Sequence, residues 1–137
     1  MRLLAAREHS RLELGRKLRA RGFSAEAIGE ALETLTAEGL LSETRLAEAY
    51  VAERIRKGFG PLRVREELRR KGLADELIDP YLNENSEQWQ RRLAAVHDRR
   101  FGAEPAVDRK EQIRRARFLE ARGFPAALVR RFLLGEE

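Results

Sequence analysis

The chain has no cysteine among its 137 residues, which excludes a disulfide framework and any thiolate metal site. It has only two histidines, His9 and His97, far apart in the sequence, and neither has a neighbour at metal-ligand spacing. His9 directly precedes Ser10 and reads as a local structural residue beside a helix cap. Proline occurs four times and β-branched residues are few, so little opposes helix formation. Long apolar runs are missing, which excludes a membrane-spanning helix. The first residues, Met1-Arg2-Leu3-Leu4-Ala5-Ala6-Arg7, acquire charge too soon for a secretory signal. The expectation is a cytoplasmic protein with no membrane partner. A phosphate-cradling loop is missing too: Gly58-Phe59-Gly60-Pro61 lacks the Lys-Ser/Thr of a P-loop and follows no strand. No catalytic, cofactor-binding or metal-ligating residue can be assigned, no cofactor is expected, and the chain does not read as an enzyme.

What is abundant is Leu, Ala, Glu and Arg, a composition that favours helix nearly everywhere. Lys and Arg number 28 against 23 Asp and Glu, a net charge of +5. A basic excess of this size is compatible with nucleic acid or an acidic protein partner. Its distribution says more: residues 54–71 hold eight bases against only Glu66 and Glu67, and the following stretch to 86 is acidic.

The chain repeats. Leu18-Arg19-Ala20-Arg21-Gly22-Phe23, Leu68-Arg69-Arg70-Lys71-Gly72-Leu73 and Leu119-Glu120-Ala121-Arg122-Gly123-Phe124 align without gaps. Six residues past each glycine stand Ile28, Ile78 and Val129, and ten past it Leu32, Leu82 and Leu133. Fixed-period similarity of this kind indicates stacked supersecondary units. Gly22, Gly72 and Gly123 are predicted to end helices in the left-handed conformation. Gly60 and Pro61 are predicted to open the middle helix of the second unit, Pro61 having no N–H to lose in a first turn.

Each unit reads as three helices, giving an all-α, elongated array of three helix-turn-helix-like repeats over residues 1–41, 42–85 and 86–137. The first holds a short helix near 2–8, a helix over 10–21 with a Ser10-x-x-Glu13 capping box, and one over 25–38 capped by Ser24. The second holds a helix from Ser42 to about Lys57, then 61–71 and 75–83, where Pro80 predicts a kink or early stop. In the third, Ser86 caps a helix to about Phe101, Asp108-x-x-Glu111 opens the next, and Pro125 begins the last. Nine helices are expected. The aromatic residues mostly fall at core spacing or on turns and are assigned to packing.

Most bases have a plain explanation. Glu13–Lys17, Glu53–Lys57, Glu66–Arg70, Glu87–Arg91 and Glu111–Arg115 are i,i+4 pairs in the favoured orientation, typical of a solvated helix face. Arg65 and Arg69 have no carboxylate four residues before them, and Lys110, Arg114 and Arg117 form a stripe of one sign. Like charges at that spacing repel, so these five, with Arg54, are the candidate contacts to an acidic partner or DNA. A base-reading helix-turn-helix is disfavoured. Two of its three recognition helices would carry Glu26, Glu30, Glu33 and Glu38, or Asp75, Glu76 and Asp79, and no base, facing a groove lined by phosphates.

On these residues the chain resembles the RecX family of recombinase regulators. The resemblance lies in Arg7-x-His9-Ser10-x-x-Glu13-Leu14-x-x-Lys17-Leu18, and in Arg45-x-Ala47-x-x-Tyr50-Val51 followed by Arg54. It continues through Gly58-Phe59-Gly60-Pro61-x-x-Val64-x-x-Glu67-Leu68-x-x-Lys71-Gly72 and Phe118-Leu119-x-x-Arg122-Gly123-Phe124. Ser42-Glu43 departs from the family's usual Asn/Asp-Asp, Leu46 from Phe and His9 from Tyr; the family's N-terminal extension is not expected here. The resemblance implies a monomer that lies in the helical groove of the RecA nucleoprotein filament. There it would limit filament extension, ATP hydrolysis and strand exchange, with weaker contacts to single- or double-stranded DNA through the phosphate backbone. The alternative is a stand-alone, non-sequence-specific DNA-binding repeat protein.

Overall fold

The computed structural model describes residues 8–83 and 85–135, and every regular element among them is a helix. There are eight: α1 (Arg11–Ala20), α2 (Ala25–Ala37), α3 (Glu43–Arg56), α4 (Pro61–Arg70), α5 (Asp75–Leu82), α6 (Ser86–Phe101), α7 (Arg109–Ala121) and α8 (Ala126–Leu134). The helix expected near 2–8 lies outside the described residues. Two compact units emerge. The first comprises the described residues up to Tyr50 with Glu67–Tyr81, and the second Val51–Glu66 with those from Leu82 onward.

In the first unit the capping box forms as expected: Ser10 Oγ accepts the Glu13 N–H at 3.0 Å and the Glu13 carboxylate accepts the Ser10 N–H at 3.1 Å. Gly22, at φ +93°, turns the chain, and Ser24 Oγ accepts the Ala27 N–H at 3.1 Å to start α2. Leu14, Ile28, Leu32, Leu35 and Leu41 are buried together, with Leu18 against them; full burial of each such side chain is worth about 1.5–3 kcal/mol. The Lys17 ammonium lies 2.9 Å from Nε2 of buried His9, and the Glu13 carboxylate receives the Lys71 ammonium at 3.0 Å. Pro80 neither stops α5 nor ends it early, for the helix runs on to Leu82. The carbonyl that Pro80 cannot satisfy is that of Glu76, an exposed residue that water can serve.

In the second unit α6, α7 and α8 pack on one another. The start of α6 corrects an expectation: Asn85, not Ser86, is the N-cap. Its side-chain oxygen accepts the Gln88 N–H at 2.9 Å, and the Asn85 N–H donates in return to the Gln88 side-chain oxygen. Asn85 accepts while already in extended backbone, so Ser86 becomes the first helical residue. Trp89 meets Phe124 edge-on at 6.4 Å and donates its indole N–H to the Leu82 carbonyl at 3.2 Å. Arg115 occupies the register position that Leu14 and Val64 hold in the earlier repeats, and all three are buried. Its guanidinium is satisfied by Glu111 at 2.9 Å, His97 Nε2 at 3.1 Å and the Glu104 carbonyl at 2.9 Å. Arg115 is therefore buried and not on a solvated helix face, with Glu111 half-buried beside it. His97 accepts from Arg115 through Nε2, so the proton sits on Nδ1, which donates to Asp98 at 2.9 Å.

Candidate nucleic-acid and partner interface

Gly60 does more than open a helix. Its N–H donates to the Arg122 carbonyl at 2.8 Å, and the Leu62 N–H, an orphan donor of the first turn of α4, donates to the Gly123 carbonyl at 3.0 Å. A Cβ on Gly60 would lie 2.6 Å from the Gly123 carbonyl group. A Cβ on Gly123, whose φ is +106°, would lie 2.4 Å from that of Arg63. Two glycines thus let the Gly58–Leu62 segment and the α7–α8 turn touch backbone to backbone. The Gly72 turn makes the counterpart approach in the first unit, where a Cβ would stand 2.7 Å from that of Leu12.

The backbone contact in the second unit concentrates positive charge. The guanidinium carbons of Arg54, Arg63 and Arg122 lie 3.7, 4.5 and 4.5 Å from the centre of the Phe59 ring. Arg63 is anchored by a bond to the Ala121 carbonyl at 3.2 Å and Arg122 by one to the Lys57 carbonyl at 3.4 Å. Arg122 and Arg100 also stand over Phe118, at 5.3 and 5.1 Å. Ring faces attract guanidinium groups by roughly 0.5–2 kcal/mol each, enough to hold like charges near one another. Burial, followed by the fields of Arg63, Arg54, Arg100 and Arg99, lowers the pKa of Arg122, and no carboxylate is among those causes. A recess of about 100 Å³ borders the group, lined in part by Arg56, Phe59, Arg92 and Arg99. The arrangement can do one thing well chemically: accept an anion with several oxygens, such as a phosphate backbone.

Of the six bases singled out in the sequence, the structure brings only Arg54 into this group. Arg65, Arg69 and Arg114 are not without interactions inside the chain. Arg69 makes a bidentate pair with Asp75 at 2.8 and 2.9 Å, reaching forward across the Gly72 turn. Arg114 pairs bidentately with Glu111 three residues earlier, both bonds at 2.8 Å. Arg65 is half-buried, and Lys110 and Arg117 are exposed on α7. Sequence reasoning missed Arg63, Arg99, Arg100 and Arg122 and assigned Phe59 to packing. The usable signal was Phe59 itself, set between two glycines in the most arginine-rich stretch, together with the invariable base before each repeat glycine.

Family models for the three-helix domains of RecX match residues 1–35 (first domain), 42–82 (second) and 86–133 (third). The chain belongs to the RecX family. Among its RecX relatives, the regulatory protein RecX of Pseudomonas syringae pv. tomato is 47% identical over 135 residues, covering 98% of this chain and 87% of that protein. The regulatory protein RecX of Halorhodospira halophila is 47% identical over 130 residues, 95% of this chain and 81% of that one. The crystal structure of RecX from Lactobacillus salivarius superposes with a TM-score of 0.82 at 19% identity, over 98% of this chain and 89% of that one. The all-α RecX fold of tandem three-helix domains is thus shared across a wide range of sequence. Among the described residues no helix is long and apolar enough to cross a membrane.

Proposed function

We propose that this RecX-family chain is a regulator that binds the RecA nucleoprotein filament and restrains its extension, lowering ATP hydrolysis and strand exchange. Relatives of nearly the same length that carry the name regulatory protein support the regulatory part. The observation that carries the choice of a nucleoprotein target is the arginine group on Phe59, where the guanidinium groups of Arg54, Arg63 and Arg122 converge on one ring. Arg54, with Arg63, Arg99, Arg100 and Arg122, would face phosphate. Arg65, Lys110 and Arg117 are proposed as additional contacts. Arg69 and Arg114 would join them by exchanging an internal carboxylate for one on the partner. The same arginine group favours one second reading, a protein that binds bare DNA unaided.

Binding to RecA filaments on single-stranded DNA and to the bare oligonucleotide, across a range of salt, separates the two. Tighter binding to the filament is expected, and Arg63→Glu with Arg100→Glu, both at exposed positions, should weaken it at least about tenfold by removing charge-assisted contacts. Equal affinity for both, with log affinity falling by about 0.7 per phosphate contacted against log salt, would contradict the regulatory reading in favour of the second.

A further inference from the structure

The repeat carries a second feature that the arginine group leaves unused. In the first unit, α1 and α2 leave a groove of about 340 Å³ lined by Leu12, Gly15, Ile28 and Leu32, with Arg11, Arg16 and Arg19 also on its walls. In the second unit, α7 and α8 leave one of about 190 Å³ lined by Ile113, Ala116, Val129 and Leu133, with Arg109 and Arg130 also on its walls. The four apolar positions correspond one to one, each pair 101 residues apart, so this is one groove present twice. Gly15 and Ala116 fall at the same register position, and both are too small to fill it. The bases stand at different repeat positions in the two grooves, yet the sign is the same. Among the described residues Arg16, Arg19, Arg109 and Arg130 have no carboxylate partner. Lys110 and Arg117 lie one residue further round α7 from Arg109 and Ala116, which extends the positive border there.

We infer that each groove docks an acidic amphipathic helix of the protein partner, an apolar side chain entering between the two helices and carboxylates meeting the rim arginines. Charge complementarity selects this occupant: an uncharged apolar segment would leave the arginines unused, and a phosphate backbone would leave the apolar floor empty. Two equivalent grooves on one chain suit a partner that presents the same segment repeatedly, as a filament of identical subunits does. That last point rests on the filament reading above. Engaging both at once makes the second contact intramolecular, which raises affinity without a new kind of contact.

Gly15→Gln, Ala116→Gln and the double variant test this without changing charge. A Cβ at Gly15 meets only Ile28 and Leu32 side chains, at 3.7 and 3.9 Å, and both positions are half-buried on the groove floor, so the longer side chains fill the grooves while the helices stay intact. Each single variant should weaken binding to RecA filaments by about fivefold or more, as loss of a buried anchor does. The double variant should lose at least the product, and affinity for the bare oligonucleotide should stay within about twofold. The pair Arg16→Glu and Arg130→Glu should reproduce the loss. Filament binding by the double variant equal to that of the unmodified chain would overturn the inference while leaving the regulatory reading intact. A parallel loss of bare-DNA affinity would overturn it in favour of a nucleic-acid groove. No filament binding by the unmodified chain would overturn both.

Discussion

Glu111 shows how far a single side chain's role can depart from its local sequence. It receives hydrogen bonds from Arg114 and from buried Arg115, which hold its pKa at about 2 against an ordinary 4.5, the bond from Arg114 being the larger cause. A depressed carboxylate contributes stability above its unfolded value and loses it as the pH falls through the folded one. Stability of the unmodified chain should therefore decline between pH 4.5 and about 2, and Glu111→Gln should flatten the thermal-unfolding midpoint across that window. An unchanged slope would mean the pairs form equally without the charge. The glycines offer a second residue-scale test. Gly22 and Gly123 share a left-handed backbone, but nothing lies within 4 Å of a Cβ at Gly22, whereas one at Gly123 collides with Arg63. Gly22→Ala should cost only the conformational term of about 1–2 kcal/mol, and Gly123→Ala that plus about 1–3 kcal/mol of overpacking. Denaturant unfolding of the two variants gives the comparison, and equal losses would deny the backbone contact. The sequence made the three turn glycines legible because αL geometry is local. It could not reveal that Gly60 and Gly123 face each other, nor that Arg69 reaches Asp75, because both depend on how distant backbone is folded back.

At the scale of elements, helix periodicity and capping chemistry account for nearly all of what was readable. The Ser10-x-x-Glu13 box, Ser24, Asp108 and the glycine stops lie where local hydrogen-bonding rules put them. The exceptions have physical reasons. Asn85 displaced Ser86 because either side chain can cap, and Asn85 supplies a reciprocal bond with Gln88. Pro80 was tolerated because the carbonyl it abandons belongs to an exposed residue. Asn85→Ala should accordingly lower stability by about 1 kcal/mol, while Ser86→Ala should change it little. A larger loss from Ser86→Ala would restore Ser86 as the cap. The apolar grooves on α1–α2 and α7–α8 were implicit in the repeat alignment, since their floors are its equivalent positions. Reading them as grooves required knowing that Gly15 and Ala116 leave them unfilled.

Over the whole molecule, a sequence that repeats in threes folds into units that do not coincide with its repeats, for α3 and α4 each contribute residues to both. Periodicity records which residues play equivalent parts within a repeat; it is silent on which repeats share a core. Family and fold class were legible for a related reason: the Gly58–Gly72 motif combines turn, cap and core constraints that few other sequences satisfy together. The arginine group was not, because its members come from α3, α4, α6 and the end of α7 and converge only after folding.

The most direct test of the account is the single-stranded-DNA-dependent ATP hydrolysis of RecA with this chain added well below the recombinase concentration. Suppression at such ratios is predicted, with Arg63→Glu/Arg100→Glu relieving most of it. Undiminished hydrolysis, alongside salt-sensitive binding of the chain to bare DNA, would contradict the account and leave a DNA-binding repeat protein in its place.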